Sequence, residues 1–187
     1  KALSGTVSIA NHSGTLTSYV GGIVSYNEGT LKSITNNLNV SGGTYAAGIC
    51  AYDLSNSSAK AGSYLINNGS VLGMFAAGGV YGDSKQTTFS YMKNTGNITA
   101  INCVGGIVGG NLSTFSKNIK INYCINTGDI TSTDNSHGTS YAGGLISNAY
   151  EIIVADSYNT GNIVGFDRGG LVGYNLGEGS YVRCLNT

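Results

Sequence analysis

The chain has no proline and no tryptophan, only four phenylalanines, and charged side chains at just 10% of its 187 positions. Each shortage excludes something. Disordered chains are usually rich in proline and charge and poor in apolar residues. Here 41% of the residues are hydrophobic, so the chain can fold. Nine basic residues balance nine acidic ones. A nucleic acid or an anionic membrane surface needs clustered Lys and Arg, so neither partner is expected. No apolar run approaches the ~20 residues that cross a bilayer, so no direct membrane insertion is expected either.

Metal and redox chemistry find little support. The only histidines, His12 and His137, lie far apart. Zinc proteolysis needs two of them one helical turn apart with a glutamate beside them. The four cysteines, Cys50, Cys103, Cys124 and Cys184, lack the paired short spacing of a zinc or dithiol site. No cofactor and no metal are expected. The chain starts at Lys1 with neither an initiator Met nor a leader pattern and stops inside a motif. It reads as one domain, residues 1–187, cut from a longer protein.

What is abundant is Gly (30), Asn (21) and Tyr (13), and these recur in register. Six segments align without gaps: YVGGIVSYN from Tyr19, YAAGICAYD from Tyr45, FAAGGVYGD from Phe75, CVGGIVGGN from Cys103, YAGGLISNA from Tyr141 and DRGGLVGYN from Asp167. Between them runs a second motif, clearest as KNTGNI at Lys93, INTGDI at Ile125 and YNTGNI at Tyr158. Its asparagines are Asn36, Asn67, Asn94, Asn126, Asn159 and Asn186. Two motifs keeping step over six repeats mark a repeat architecture.

Each repeat contains about three short runs rich in β-branched and aromatic residues, separated by Gly, Asn and Ser clusters. That is strand-and-turn chemistry, and no stretch sustains a helical period. The expected fold is all-β: a right-handed parallel β-helix of about six coils, with equivalent residues stacked in columns ~4.8 Å apart. Two residues before each Asn comes an uncharged, mostly apolar column (Ile34, Leu65, Met92, Cys124, Ser157, Cys184), and four residues after it another (Val40, Val71, Ile98, Ile130, Ile163). The fifth and sixth positions of the Gly-Gly motif are both apolar, which a regular strand cannot turn inward together. Either the glycines bend the chain there or the outer file meets another surface. The Asn column suits a ladder of stacked amides at a bend, and the Gly two residues later suits a corner with positive φ.

GGLVGYN at Gly169 and GGIVGGN at Gly105, alternating with CINTGDI and YNTGNI, resemble GLUG-type repeats. The resemblance runs from about Gly14 to the end and weakens in the second and third repeats, where Ala47 and Ala77 replace the first glycine. It implies a β-helical region of a large secreted or surface-anchored bacterial protein, adhesin-like or part of an immunoglobulin A-cleaving metallopeptidase. Such repeats act as spacers or binding regions, so the resemblance implies location and class and no catalytic residue.

Two constellations remain as candidates. Asp53 and Asp83 end the second and third Gly-Gly segments and, on successive coils, would stand ~5 Å apart, the separation of a retaining glycosidase pair. The plainer expectation is Asp standing in for Asn at a turn. Tyr19, Tyr45, Phe75 and Tyr141 share a column, and Tyr26 and Tyr52 another; such rows pack a sheet or bind sugar and protein. Cys124 and Cys184 lie two coils apart, beyond disulfide reach, so free thiols are expected. The reading is a non-catalytic extracellular spacer, display or adhesion module with a glycan or host surface protein as partner. Its alternatives are a polysaccharide-degrading enzyme and a fibre segment self-associating end to end through open strand edges.

Overall fold

The computed structural model describes residues 5–8, 17–55, 62–110, 118–136 and 138–187. His12, Asn111 and His137, named above or in the motifs, lie outside them. Among the described residues every regular element is a strand, and every strand pair is parallel, as a β-solenoid requires. Two sheets are six strands deep and the third has 13 strands. The stack makes about 5 turns and matches a right-handed parallel β-helix. Among the described residues no helix is long and apolar enough to cross a membrane.

One coil shows the plan. Ile98–Ala100 lies in the first sheet, Cys103–Gly105 in the second, and Val108–Gly110 opens the third. Ile119–Asn122 and Ile125–Asn126 then return through the same third sheet. A coil therefore carries four or more short strands. β-branched residues dominate these strands, while the corners between them hold Gly and Asn.

The coil encloses two separate apolar cores. The first lies between the first two sheets, where Val71, Ile98 and Ile130 face Ala46, Ala77, Val104 and Ala142. The second packs Leu65, Met92 and Cys124 against Ile49, Val80, Ile107 and Leu145, and continues into Cys50, Tyr81, Val108 and Ile146. Fully burying a side chain such as Ile107 contributes about 1.5–3 kcal/mol. Both apolar positions of the Gly-Gly motif thus point inward. The chain bends at the second glycine and the residue after it, and Ile107 and Val108 both donate their backbone N–H to Leu145 O, at 2.8 and 3.0 Å.

Between the cores the coil is pinched, and the two motifs meet there. Asn36, Asn67, Asn94, Asn126, Asn159 and Asn186 form one continuous amide ladder. Each Nδ2 donates to the next Oδ1, at 2.8, 2.8, 2.7, 2.7 and 2.8 Å in turn. The same nitrogens donate to the carbonyl two residues on, at Leu38, Gly69, Gly96, Gly128 and Gly161. The second motif glycine lies against this ladder: a Cβ on Gly106 would strike the Asn126 side chain, and one on Gly144 that of Asn159. A buried amide must be hydrogen-bonded, and only a glycine lets the opposite wall come this near. This contact is why the motifs recur in step.

Two expectations need correction. The third repeat starts one residue later than the gapless alignment placed it: Ala76, not Phe75, pairs with Tyr45, and Gly78 pairs with Ala47. The paired alanines at 76–77 imitate those at 46–47, but the Gly78–Gly79 pair matches Gly105–Gly106. Val80 then fills the aliphatic place. Further, Gly69, Gly96, Gly128 and Gly161 are not among the residues with positive φ. Their column needs glycine because adjacent coils touch: a Cβ on Gly96 would land on the Gly69 carbonyl, and one on Gly128 on that of Gly96.

Candidate functional site

The tyrosine columns meet at a corner on the outside of the solenoid. Tyr19 and Tyr45 stand on the outer side of the second sheet, opposite the side where Val20 and Ala46 enter the first core. Tyr26 and Tyr52 pair in the third sheet after the bend. Across that bend the rings gather. Tyr19 and Tyr45 stack at 5.6 Å, Tyr52 lies 4.8 Å from Tyr19 and 6.2 Å from Tyr45, and Tyr26 is 5.7 Å from Tyr52. Phe75, displaced from the Tyr45 column by the register correction, still meets Tyr45 edge-on at 6.0 Å. Most of these rings are tilted by 34–68°, so their faces are only partly covered by one another.

Tyr141 does not join this group. Ala76 and Cys103 separate it from Tyr45 in the column, and it stacks instead on Tyr174 at 4.9 Å. The corner therefore carries aromatics at both ends, with Ala76, Cys103 and Asp83 buried between them. Burial, with the Asp83 carboxylate near, pushes the Tyr45 phenol up to about 12 and raises that of Tyr19. Both phenols stay neutral at any physiological pH.

Asp53 and Asp83 do not form a carboxylate pair. Asp83 pairs with Tyr52, and Asp53 with Ser84, so the two carboxylates stand one register position apart on adjoining strands. Successive positions face opposite sides of a sheet. Asp53 is fully buried and accepts from Asn27 Nδ2 (2.7 Å), Ser55 Oγ (2.8 Å to each oxygen), Ser84 Oγ (3.1 Å) and Gln86 Nε2 (2.6 Å). Every one of these donors is neutral. Gln86 in turn bonds the Tyr81 hydroxyl at 3.3 Å and accepts from the Gly62 N–H at 3.1 Å. The arrangement holds a buried carboxyl group in place by hydrogen bonds, the role expected of a turn-stabilising Asp. Asp53 and Asp83 thus do not supply the paired geometry of a retaining glycosidase.

A further aromatic column escaped the sequence reading. Three residues before each ladder Asn stand Ser33, Tyr64, Tyr91, Tyr123, Asp156 and Arg183, and all six have φ between 49° and 56°. Left-handed backbone costs a bulky residue roughly 1–2 kcal/mol, and Gly or Asn would relieve it. Tyr64, Tyr91 and Tyr123 nevertheless hold it, 53%, 46% and 48% exposed. Their rings stack nearly parallel, at 5.0 and 4.9 Å with interplanar angles of 12° and 8°. Above them Arg183 grips Asp156 through two hydrogen bonds of 2.6 and 2.7 Å, which hold the Asp156 carboxyl below its usual range. Arg168 donates to the Gly165 carbonyl and Asp167 accepts from the Gly138 N–H.

All four cysteines are free thiols, with only Cys184 partly exposed. Ser157 separates Cys124 from Cys184 and accepts the Cys124 N–H at 3.0 Å. Burial pushes the Cys103 and Cys124 thiols up to about 12, the opposite of what a nucleophile or metal ligand requires. Among the described residues no group of three or more His, Cys, Asp or Glu is placed to hold a metal ion.

Comparison with known proteins adds no relative: no family model, no curated protein and no solved structure matches this chain.

Proposed function

We propose that this chain is a non-catalytic β-solenoid module of an extracellular bacterial protein, which holds an aromatic surface at a distance for adhesion to a glycan or a host surface protein. The observation that carries this reading is the corner cluster of Tyr19, Tyr26, Tyr45, Tyr52 and Phe75, whose tilted rings keep partly open faces on a rigid scaffold. Tyrosine suits such a task because it offers contact area and a polar tip with few rotatable bonds to freeze. The low charge of the chain and its resemblance to GLUG-type repeats support the same reading. So does the buried, hydrogen-bonded state of Asp53, which leaves the carboxylates to structure.

The test is a glycan-array and surface-protein capture screen with the purified chain, set beside a Tyr19→Ala/Tyr45→Ala/Tyr52→Ala variant. Capture of a ligand by the parent and its loss in the variant, with unchanged circular dichroism, is the expected result. Turnover of any polysaccharide by the parent, or capture that ignores the three substitutions, contradicts the reading.

A further inference from the structure

The column of Tyr64, Tyr91 and Tyr123 does not require tyrosine. Ser33, Asp156 and Arg183 occupy it with the same left-handed backbone, which a bulky side chain adopts only at a cost. Three successive coils nevertheless set a phenol there. The pairs around them, Ser63 with Ser90 and Leu65 with Met92, then Ser90 with Asn122 and Lys93 with Ile125, hold the three tyrosines in register. Their rings lie 5.0 and 4.9 Å apart with interplanar angles of 12° and 8°, and each is about half exposed. None of the three hydroxyls makes a hydrogen bond among the described residues, so nothing there ties down the ring tips. Farther along, the same column joins coil to coil through the Asp156–Arg183 ion pair.

We propose that these three tyrosines are an oxidative cross-linking site, at which hydrogen peroxide, used by a haem peroxidase as a one-electron oxidant, joins the rings into dityrosine and fastens successive coils covalently. Each of two phenols gives up its O–H hydrogen to the oxidant, as one electron and one proton. The two phenoxyl radicals join through ring carbons beside the oxygen, and one carbon–carbon bond forms. Each joined carbon then sheds its hydrogen as a proton while its oxygen takes one up. Two tyrosines have then lost two hydrogens, and one peroxide has become two waters. Tyr91, with a neighbour on each side, can join to both. Such a bond closes a loop one coil long and restricts the unfolded chain as a disulfide would. The four cysteines, all free, supply no such tie. The site is independent of what the aromatic corner binds.

Other stacked phenols are less well placed. Tyr45 keeps its proton up to about 12, and Tyr52 is wedged against its stack with Tyr19. The Tyr141 hydroxyl is held by the Gly138 carbonyl at 2.6 Å. Cys50, Cys103 and Cys124, whose thiols would quench a radical, are buried.

The test treats the dilute, purified chain with hydrogen peroxide and a haem peroxidase, beside Tyr91→Phe and Tyr45→Phe variants. Tyr91→Phe keeps the stack of rings but leaves Tyr64 and Tyr123 two coils apart with no phenol between them. Dityrosine fluorescence should appear in the parent and in Tyr45→Phe and be lost in Tyr91→Phe. Peptide mass mapping of the monomer should find Tyr91 joined to Tyr64 or Tyr123, two hydrogens lighter than the separate peptides. The treated parent should unfold at higher urea than the untreated chain, and Tyr91→Phe should gain nothing from treatment. Absent fluorescence, fluorescence undiminished in Tyr91→Phe, links mapped only elsewhere in the chain or between molecules, or an unchanged urea midpoint in the linked chain overturns the proposal.

Discussion

Asn94 donates its side-chain amide both to Asn126 Oδ1 and to the Gly96 carbonyl, each at 2.7 Å, in a place with no access to water. One side chain thereby ties a coil to its neighbour and closes its own corner. Replacing it with alanine strands three groups at once: the Asn67 amide, the Asn126 oxygen and the Gly96 carbonyl. At about 1–3 kcal/mol per orphaned group, partly relieved by relaxation, Asn94→Ala should cost about 4 kcal/mol. Urea unfolding checks this, and a loss under about 1 kcal/mol would show the ladder to be decoration.

The waist gives a second expectation. A methyl on Gly106 meets the Asn126 amide, whereas one on Gly138 meets open space despite its φ of 81°. Gly106→Ala should therefore destabilise by about 4 kcal/mol and Gly138→Ala by only about 1. Equal effects would mean that backbone conformation, and not the approach to the ladder, selects glycine in the motif.

Tyr91 spends roughly 1–2 kcal/mol on its left-handed backbone and recovers about 0.5–1.5 kcal/mol from each of its two stacks. The sum is near zero. Tyr91→Gly should thus leave the unfolding midpoint within about 1 kcal/mol of the parent, as expected of a residue kept for its surface. A loss above about 3 kcal/mol would assign the ladder to stability.

Alkaline titration reads the corner. The Tyr45 phenol moves from 10.0 in the open chain to about 12 in the fold. The folded state therefore keeps a proton that the unfolded state releases first. Its contribution is complete below about pH 10 and fades as pH climbs towards 12. Tyr45→Phe should flatten the decline of stability across that window. A phenolate band fully developed by pH 11 in the folded chain would contradict the burial.

Thiol chemistry should follow exposure. In the native state at neutral pH, iodoacetamide should modify Cys184 first and leave Cys50, Cys103 and Cys124 untouched until the chain unfolds. Peptide mass mapping reads this directly.

Much of this was legible in the residues. The Asn column, the mostly apolar column running from Ile34 to Cys184 and the one holding Val71, Ile98 and Ile130 follow from spacing alone, because a solenoid repeats its neighbours once per coil. The register of the third repeat was not, since Ala76 and Ala77 imitate Ala46 and Ala47 in the gapless frame and only strand pairing sets Ala76 against Tyr45. That single step dissolved the Asp53/Asp83 pair. The division into two cores was also hidden: Ile107 and Val108 both turn inward only because the chain bends just before them. Tyr64, Tyr91 and Tyr123 were missed although the signal was present. Each stands three residues before a ladder Asn, a spacing as regular as those of the two apolar columns.

The claim on which the columns depend is that successive coils lie side by side in the stated register. Nuclear Overhauser contacts among the side-chain amides test it most directly. The Asn94 amide protons should show cross-peaks to the Asn126 side chain, and those of Asn67 to Asn94. Asn94 amide contacts confined to its own repeat, or a pairing of Asp83 with Asp53 in place of Tyr52, would contradict it.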